Sequence, residues 1–154
     1  MVALGNCTLA ENITTRGGGA FQMLATGAGQ LATIKNSLFS ANGGDGGNCE
    51  FGAGKVTLAG ENLSSESSCT GFTLNNADAK LAPLADNGGP TSTYALDPAS
   101  PAVDAVIDCT DNGGGAMATD QRGHAQPQGP ACDIGAYELD IDRIFGDRFE
   151  AAAP

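Results

Sequence analysis

L-G-N-C-T-L-A-E-N, from Leu4 to Asn12, lines up with I-K-N-S-L-F-S-A-N, from Ile34 to Asn42. Asn6 falls on Asn36, an offset of 30 residues. A degenerate third copy, V-T-L-A-G-E-N-L, runs from Val56 to Leu63. Glycine-rich turns separate the copies at Arg16–Gly19, Gly27–Gly29 and Gly43–Gly47. A repeat of this length, built of short alternating strands and Gly/Asn turns, marks a solenoid. The expected fold is therefore all-β: a short right-handed parallel β-helix over residues 1–74, each repeat one rung. Its interior is expected to hold Leu4, Leu9, Phe21, Leu31, Ile34, Leu38, Val56, Leu58 and Leu63. Asn6 and Asn36 recur at one place, which predicts stacked asparagines bonding to neighbouring turn backbones. The acceptor-like patterns at Asn6, Asn12 and Asn62 read as accidents of an Asn/Thr-rich chain rather than glycosylation sites. Two or three rungs leave unpaired strand edges. The reading thus expects the upstream part of a longer β-helix, or another subunit, to cover the open end.

Composition fits this frame. The chain has 154 residues, enough for one domain, and 23 are glycine, about twice the usual share. Glycine and asparagine accept positive φ at low cost, which suits a chain that turns often. Trp is absent, so the core must be built from Val, Ile, Leu, Ala and Phe. The formal net charge of −11 argues against nucleic-acid binding, which needs a basic face. It fits an extracellular surface and leaves room for Ca²⁺. No run approaches the length of a membrane span, and no secretory leader is legible in Met1–Gly5.

From Asn75 the pattern changes. Asp78–Pro83 reads as an extended link, Asp86–Pro90 as a tight turn, and Tyr94–Leu96 as a short strand. Pro98 and Pro101 enforce extended backbone, and Ala102–Ile107 reads as a brief strand or turn. Residues 75–138 are expected to form a loop-rich cap that seals the last rung, with 139–154 an extended tail. Arg122 can fork two hydrogen bonds onto one carboxylate, and Asp120, Asp133 and Glu138 are its candidate partners. The expected device is a structural clamp. Of five cysteines, Cys49–Cys69 and Cys109–Cys132 each close a moderate loop within one module and are expected to be bridged. Cys7 is left over, as an interior filler or an intermolecular bond.

D-N-G-G-P-T (Asp86–Thr91), L-D-P-A-S-P-A-V-D-A (Leu96–Ala105), T-D-Q-R-G (Thr119–Gly123) and A-C-D-I-G-A-Y-E (Ala131–Glu138) together resemble the choice-of-anchor Q domain. The resemblance covers roughly Leu4–Glu138. It implies the C-terminal part of a bacterial secreted or surface protein with a right-handed parallel β-helix, and says little about an activity. I-F-G-D-R-F-E (Ile144–Glu150) is similar to the I-F-A-D-G-F-E type of ending in secreted gammaproteobacterial proteins, with Gly146 and Arg148 departing from it. Ile141, Ile144, Phe145 and Phe149 make this tail apolar enough to need a contact surface, a second subunit included.

The first functional reading is a non-catalytic structural or interaction module, self-assembling head to tail through its open rung and apolar tail. The alternative is a carbohydrate-active protein, lyase-like or glycan-binding. Asp104, Asp108, Asp111, Asp120 and Asp133 are carboxylates that could meet in space for such chemistry. His124, the only histidine, has no G-x-S-x-G partner motif and reads as a loop residue. No catalytic residue is assigned. No cofactor is expected; Ca²⁺ ligands, if present, would come from Asp86, Asp108 or Asp111, which lack the spacing of an EF-hand. The glycine-rich runs lack the Lys-Ser/Thr of a phosphate loop.

Overall fold

A computed structural model describes residues 1–24, 29 and 31–140. The expected contacts through Ile141, Ile144, Phe145 and Phe149 lie outside the described residues. Among those described there is no helix, and the strands pair in parallel. In chain order they are β1 (Val2–Gly5), β2 (Thr8–Ala10), β3 (Phe21–Met23), β4 (Ala32–Lys35), β5 (Leu38–Ser40), β6 (Cys49–Phe51), β7 (Val56–Ala59), β8 (Leu63–Ser64) and β9 (Leu74–Asn75). They form three sheets, ordered β1-β4-β7, β2-β5-β8-β9 and β3-β6. Each strand of the first repeat thus lies on its counterpart in the second. Leu4 pairs with Ile34 and Ile34 with Leu58; Leu9 pairs with Phe39. The third repeat has one more residue between β7 and β8 than lies between β4 and β5.

The corner between the first two sheets explains the recurrent asparagine. Asn6 has φ 51°, Asn36 φ 50° and Gly60 φ 56°. This left-handed region is open to glycine and tolerated by asparagine, so the corner selects those types. Asn36 Oδ1 also accepts the backbone N–H of Glu61 from the next repeat at 3.0 Å. The longer ladder, however, is built by other asparagines. Asn42 Oδ1 accepts the backbone N–H (3.0 Å) and Nδ2 (2.8 Å) of Asn12. Asn48 Oδ1 accepts the same two groups of Asn42, at 3.0 and 2.9 Å. Asn48 Nδ2 then donates to Ser64 Oγ at 2.9 Å. Replacing Asn42 by Ala strands the Leu9 carbonyl it serves and the backbone N–H of Asn12 that it accepts. The expected loss is about 1–3 kcal/mol, read from urea unfolding.

Two hydrophobic clusters result. The first holds Ile34, Phe39, Cys49, Cys69 and Phe72, with Leu4, Leu9, Phe21, Val56 and Leu58 packed against it. The Phe39 and Phe72 rings sit 5.3 Å apart, and the Cys49–Cys69 disulfide (Cα–Cα 5.0 Å) ties the loop carrying Phe72 to β6. The second cluster holds Leu38, Leu63, Ala79, Leu96, Ala102, Val106, Cys132, Ile134 and Tyr137. Leu38 and Leu63 are therefore corrected: they face away from Phe39 and onto the C-terminal segment. Successive strand residues point to opposite faces. Phe39 takes the inward place of Leu9, so its neighbour Leu38 turns outward. Leu31, also expected inside, is only half-buried and belongs to neither cluster.

The segment after β9 has little regular structure. Isolated antiparallel bridges hold it: Leu81 to Leu96, Ala85 to Thr93, Val106 to Cys132, Thr110 to Ala116 and Thr119 to Ala125. A second disulfide, Cys109–Cys132, has its Cα atoms 5.7 Å apart. Side chains bind this segment to the repeats at several points. Lys35 Nζ reaches Asp108 Oδ2 at 3.0 Å and the Thr110 hydroxyl. Thr8 Oγ1 accepts the Ala136 N–H at 3.0 Å.

Candidate functional site

The T-D-Q-R-G and A-C-D-I-G-A-Y-E stretches meet around Arg122. Its side chain and that of Asp120 are both fully buried, with Nη2 2.7 Å and Nε 2.8 Å from Asp120 Oδ2. Nη2 also donates to the Glu138 carbonyl at 2.5 Å, and Nη1 to the Asn87 carbonyl at 3.4 Å. The guanidinium carbon lies 3.7 Å from the Tyr137 ring centroid, a cation–π contact. Asp120 Oδ1 accepts the N–H groups of Arg122 and His124, and its Oδ2 that of Glu138. One ion pair thus gathers three distant stretches. The D-N-G-G-P turn packs closely onto it: a Cβ on Gly89 would lie 2.6 Å from Arg122 Cα. Gly89 also has φ 91°, a conformation that favours glycine.

Asp133 and Glu138 do not share the arginine's fork. Their carboxylates hold backbone N–H groups instead. Asp133 accepts from Asp104 (2.8 Å) and Leu139 (2.6 Å); Glu138 accepts from Gln128 (2.8 Å) and Asp133 (2.9 Å). Asp104 Oδ1 in turn accepts from Ala131 at 3.3 Å. Burial pushes the Asp133 carboxyl up to about 7, against the pull of those two N–H donors and with help from Glu138 and Asp104. Burial raises Glu138 as well.

These shifts have a sign. A carboxyl unfolded near pKa ~3.9 and folded near 7 keeps a proton in the folded chain that the unfolded chain has lost. Stability contributed by Asp133 is therefore greatest below its unfolded value and declines as pH rises through the folded one. We expect the urea midpoint to be higher at pH ~5 than at pH ~7.5, and Asp133→Asn to flatten that slope. A midpoint that climbs over this interval contradicts the assignment. Glu66 and Asp108 run the other way. Burial raises Glu66, but bonds from Ser68 and Asn48 outweigh it and leave it lowered; Thr110 and Lys35 lower Asp108. Their contributions are lost only as pH falls through the acidic range.

The remaining candidates scatter. Of the five aspartates considered for chemistry, Asp104, Asp120 and Asp133 converge on this network. Asp108 instead pairs with Lys35, and Asp111 caps a turn by accepting the N–H groups of Gly113 and Gly115 at 2.8 Å. Asp86 accepts the Gly88 N–H at 3.0 Å. Among the described residues no three His, Cys, Asp or Glu side chains gather so as to hold a metal ion. His124 is half-buried, and its backbone N–H is taken by Asp120. Asn62 is 1% exposed, which closes its sequon to modification.

At the end opposite Phe72, β1, β2 and β3 each have a strand on one side only among the described residues. Val2 and Asn6 send their N–H groups to Leu31 and Lys35, so strand alternation turns those of Ala3 and Gly5 away from β4. Val2, Ile13 and Leu24 are exposed here, at 45%, 88% and 56%. A mouth of about 460 Å3, lined by Leu4, Leu9, Met117 and Cys7, opens nearby. Cys7 carries a free thiol that is half-buried and donates to the Gly5 carbonyl at 3.1 Å.

No described helix is long and apolar enough to cross a membrane, and two disulfides point to an oxidising compartment. Comparison with protein-family models, curated proteins and solved structures gives no match.

Proposed function

We propose that the chain is a structural and interaction module of an extracellular or surface-exposed bacterial protein: the closing end of a right-handed parallel β-helix of the choice-of-anchor Q type. The observation that carries this reading is the asymmetry of the two ends. Phe72 and the Cys49–Cys69 bridge pack over one, while at the other β1, β2 and β3 are paired on one side only and Val2, Ile13 and Leu24 are exposed among the described residues. The face of the first repeat is equivalent to the face of the second, and the second is covered by a repeat. A further coil, supplied by another chain through strand addition, is the matching occupant. A head-to-tail array needs a second complementary end, and Ile141, Ile144, Phe145 and Phe149 are the residues we assign to it.

Sedimentation over micromolar to millimolar concentrations tests this. The chain should associate. Ala3→Pro, which removes an outward N–H without touching the β1–β4 ladder, should abolish association and leave the melting temperature within a few degrees. Deletion of 141–149 should act like Ala3→Pro. A chain monomeric throughout, or association indifferent to both changes, overturns the assembly reading.

A further inference from the structure

A groove of about 660 Å3 lies between the corners that follow β2 and β5 and the segment carrying the Leu81–Leu96 bridge. Its volume falls in the range of roughly 300–1,000 Å3 usual for small-ligand sites. Ala10 and Ser40, partners in the β2–β5 ladder, form part of its lining with short side chains. Glu11, Asp78, Lys80, Pro83, Tyr94 and Asp97 supply the rest of its chemistry.

We propose that this groove binds a neutral, polyhydroxylated ligand, a short stretch of saccharide. The inference does not depend on the assembly reading. It rests on the balance of donors and acceptors. Tyr94 donates its hydroxyl to Glu11 Oε2 at 3.1 Å, so the ring is held in place before any ligand arrives. Asp78 Oδ1 accepts the Lys80 N–H at 2.9 Å, and Asp97 Oδ1 accepts the Ala99 N–H at 2.8 Å. The second oxygen of each carboxylate has no protein partner among the described residues, and neither does Lys80 Nζ. An anion entering here meets three carboxylates. A cation is drawn by the same carboxylates but opposed by the Lys80 ammonium set among them, the case that hexalysine tests. A vicinal diol is served by both, since each hydroxyl donates to a carboxylate oxygen and accepts from the ammonium. The aromatic ring adds an apolar face of the kind a sugar's C–H surface packs on.

The backbone is also set in advance. Glu11, Ala41 and Lys80 line the groove with φ 58°, 52° and 48°, although none is glycine or asparagine. Such left-handed residues are strained and concentrate at sites of function.

The test is titration of the full chain, followed by NMR, with three neutral probes: cellohexaose, maltohexaose and chitohexaose. Hexalysine serves as a cationic control. At least one sugar should bind with a dissociation constant below about 1 mM. Lys80→Ala should weaken it about tenfold, the effect of a lost hydrogen bond to a charged group. Asp97→Asn, which keeps the oxygen that accepts from Ala99, should weaken it similarly, while Asp45→Asn, outside the groove, should leave it unchanged. Circular dichroism melting confirms that each variant folds. The proposal is overturned if none of the three sugars binds at 10 mM, as roughly tenfold above that ceiling. It is also overturned if binding survives both groove variants intact, or if hexalysine binds more tightly than every sugar.

Discussion

Arg122→Met should destabilise the chain by about 3–5 kcal/mol, a large share of the roughly 5–15 kcal/mol that holds a domain of this size. The side chains of Arg122 and Asp120 are fully buried, so the substitution leaves an uncompensated carboxylate away from water. It also frees the carbonyls of Glu138 and Asn87. Arg122→Lys keeps the charge but loses the fork and the flat contact on Tyr137, and should recover only part of the loss. Removing Asp120 at the same time does not restore stability, because Asp120 also accepts three backbone N–H groups. Urea unfolding of the four proteins gives the comparison. An Arg122→Met variant within 1 kcal/mol of the parent, on the scale of an exposed pair, would show that the ion pair does not lock this segment.

The second large effect is expected from opening the Cys109–Cys132 bridge. It closes a loop of sequence separation 23, for which the chain-entropy relation gives about 3 kcal/mol. Around it the described C-terminal residues are joined by isolated bridges rather than a sheet, so the covalent link is a large part of what restrains this stretch. Cys132 is 2% exposed and packs with Val106 and Ile134, so Cys109→Ala/Cys132→Ala preserves burial while removing the link. Fluorescence-free probes are needed in a chain without Trp; far-ultraviolet circular dichroism in urea suits. A double variant as stable as the parent would contradict the entropic account. The Cys49–Cys69 pair joins strand β6 to a short loop within the first cluster, and its loss should expose Phe72 as well.

Much of the architecture was legible because the repeat is literal. The 30-residue offset that aligns Asn6 with Asn36 is the offset at which Leu4 meets Ile34 and Leu9 meets Phe39. The cysteine spacing named both bridges. The phase of β5 was not legible. Leu38 and Phe39 are adjacent and both apolar, so alternation alone cannot say which faces in. The answer depends on a second apolar surface, built by Leu96, Val106 and Ile134 more than fifty residues away in the chain. The Asn12–Asn42–Asn48 ladder could have been found, since Asn12 and Asn42 close the aligned nonapeptides. Asn48 could not, because it reaches the ladder from within a glycine-rich turn.

The lock was legible in composition but not in pairing. Three carboxylates near one arginine leave the partner open; the turn that carries both Asp120 and Arg122 sets Asp120 against the guanidinium, while Asp133 and Glu138 hold only backbone N–H groups. The groove around Tyr94 gave no sequence signal at all. It draws on residues 10–11, 40–41 and 78–97, which only the stacking of repeats against the C-terminal segment brings together.

Stacked repeats make a demanding forecast about length. Residues 4–33 span one repeat, and Thr33 is followed by Ile34, the counterpart of Leu4. Duplicating 4–33 in tandem therefore adds one whole repeat without breaking any register. The most direct measurement is thermal unfolding of this lengthened chain beside the parent. The β-helix reading predicts one cooperative transition at a temperature at least as high as the parent's, because the added repeat covers Leu4 and Leu9 and gains parallel partners for β1 and β2. A lower, broadened or split transition, with the added thirty residues cleaved by protease as an unstructured insert, would contradict it.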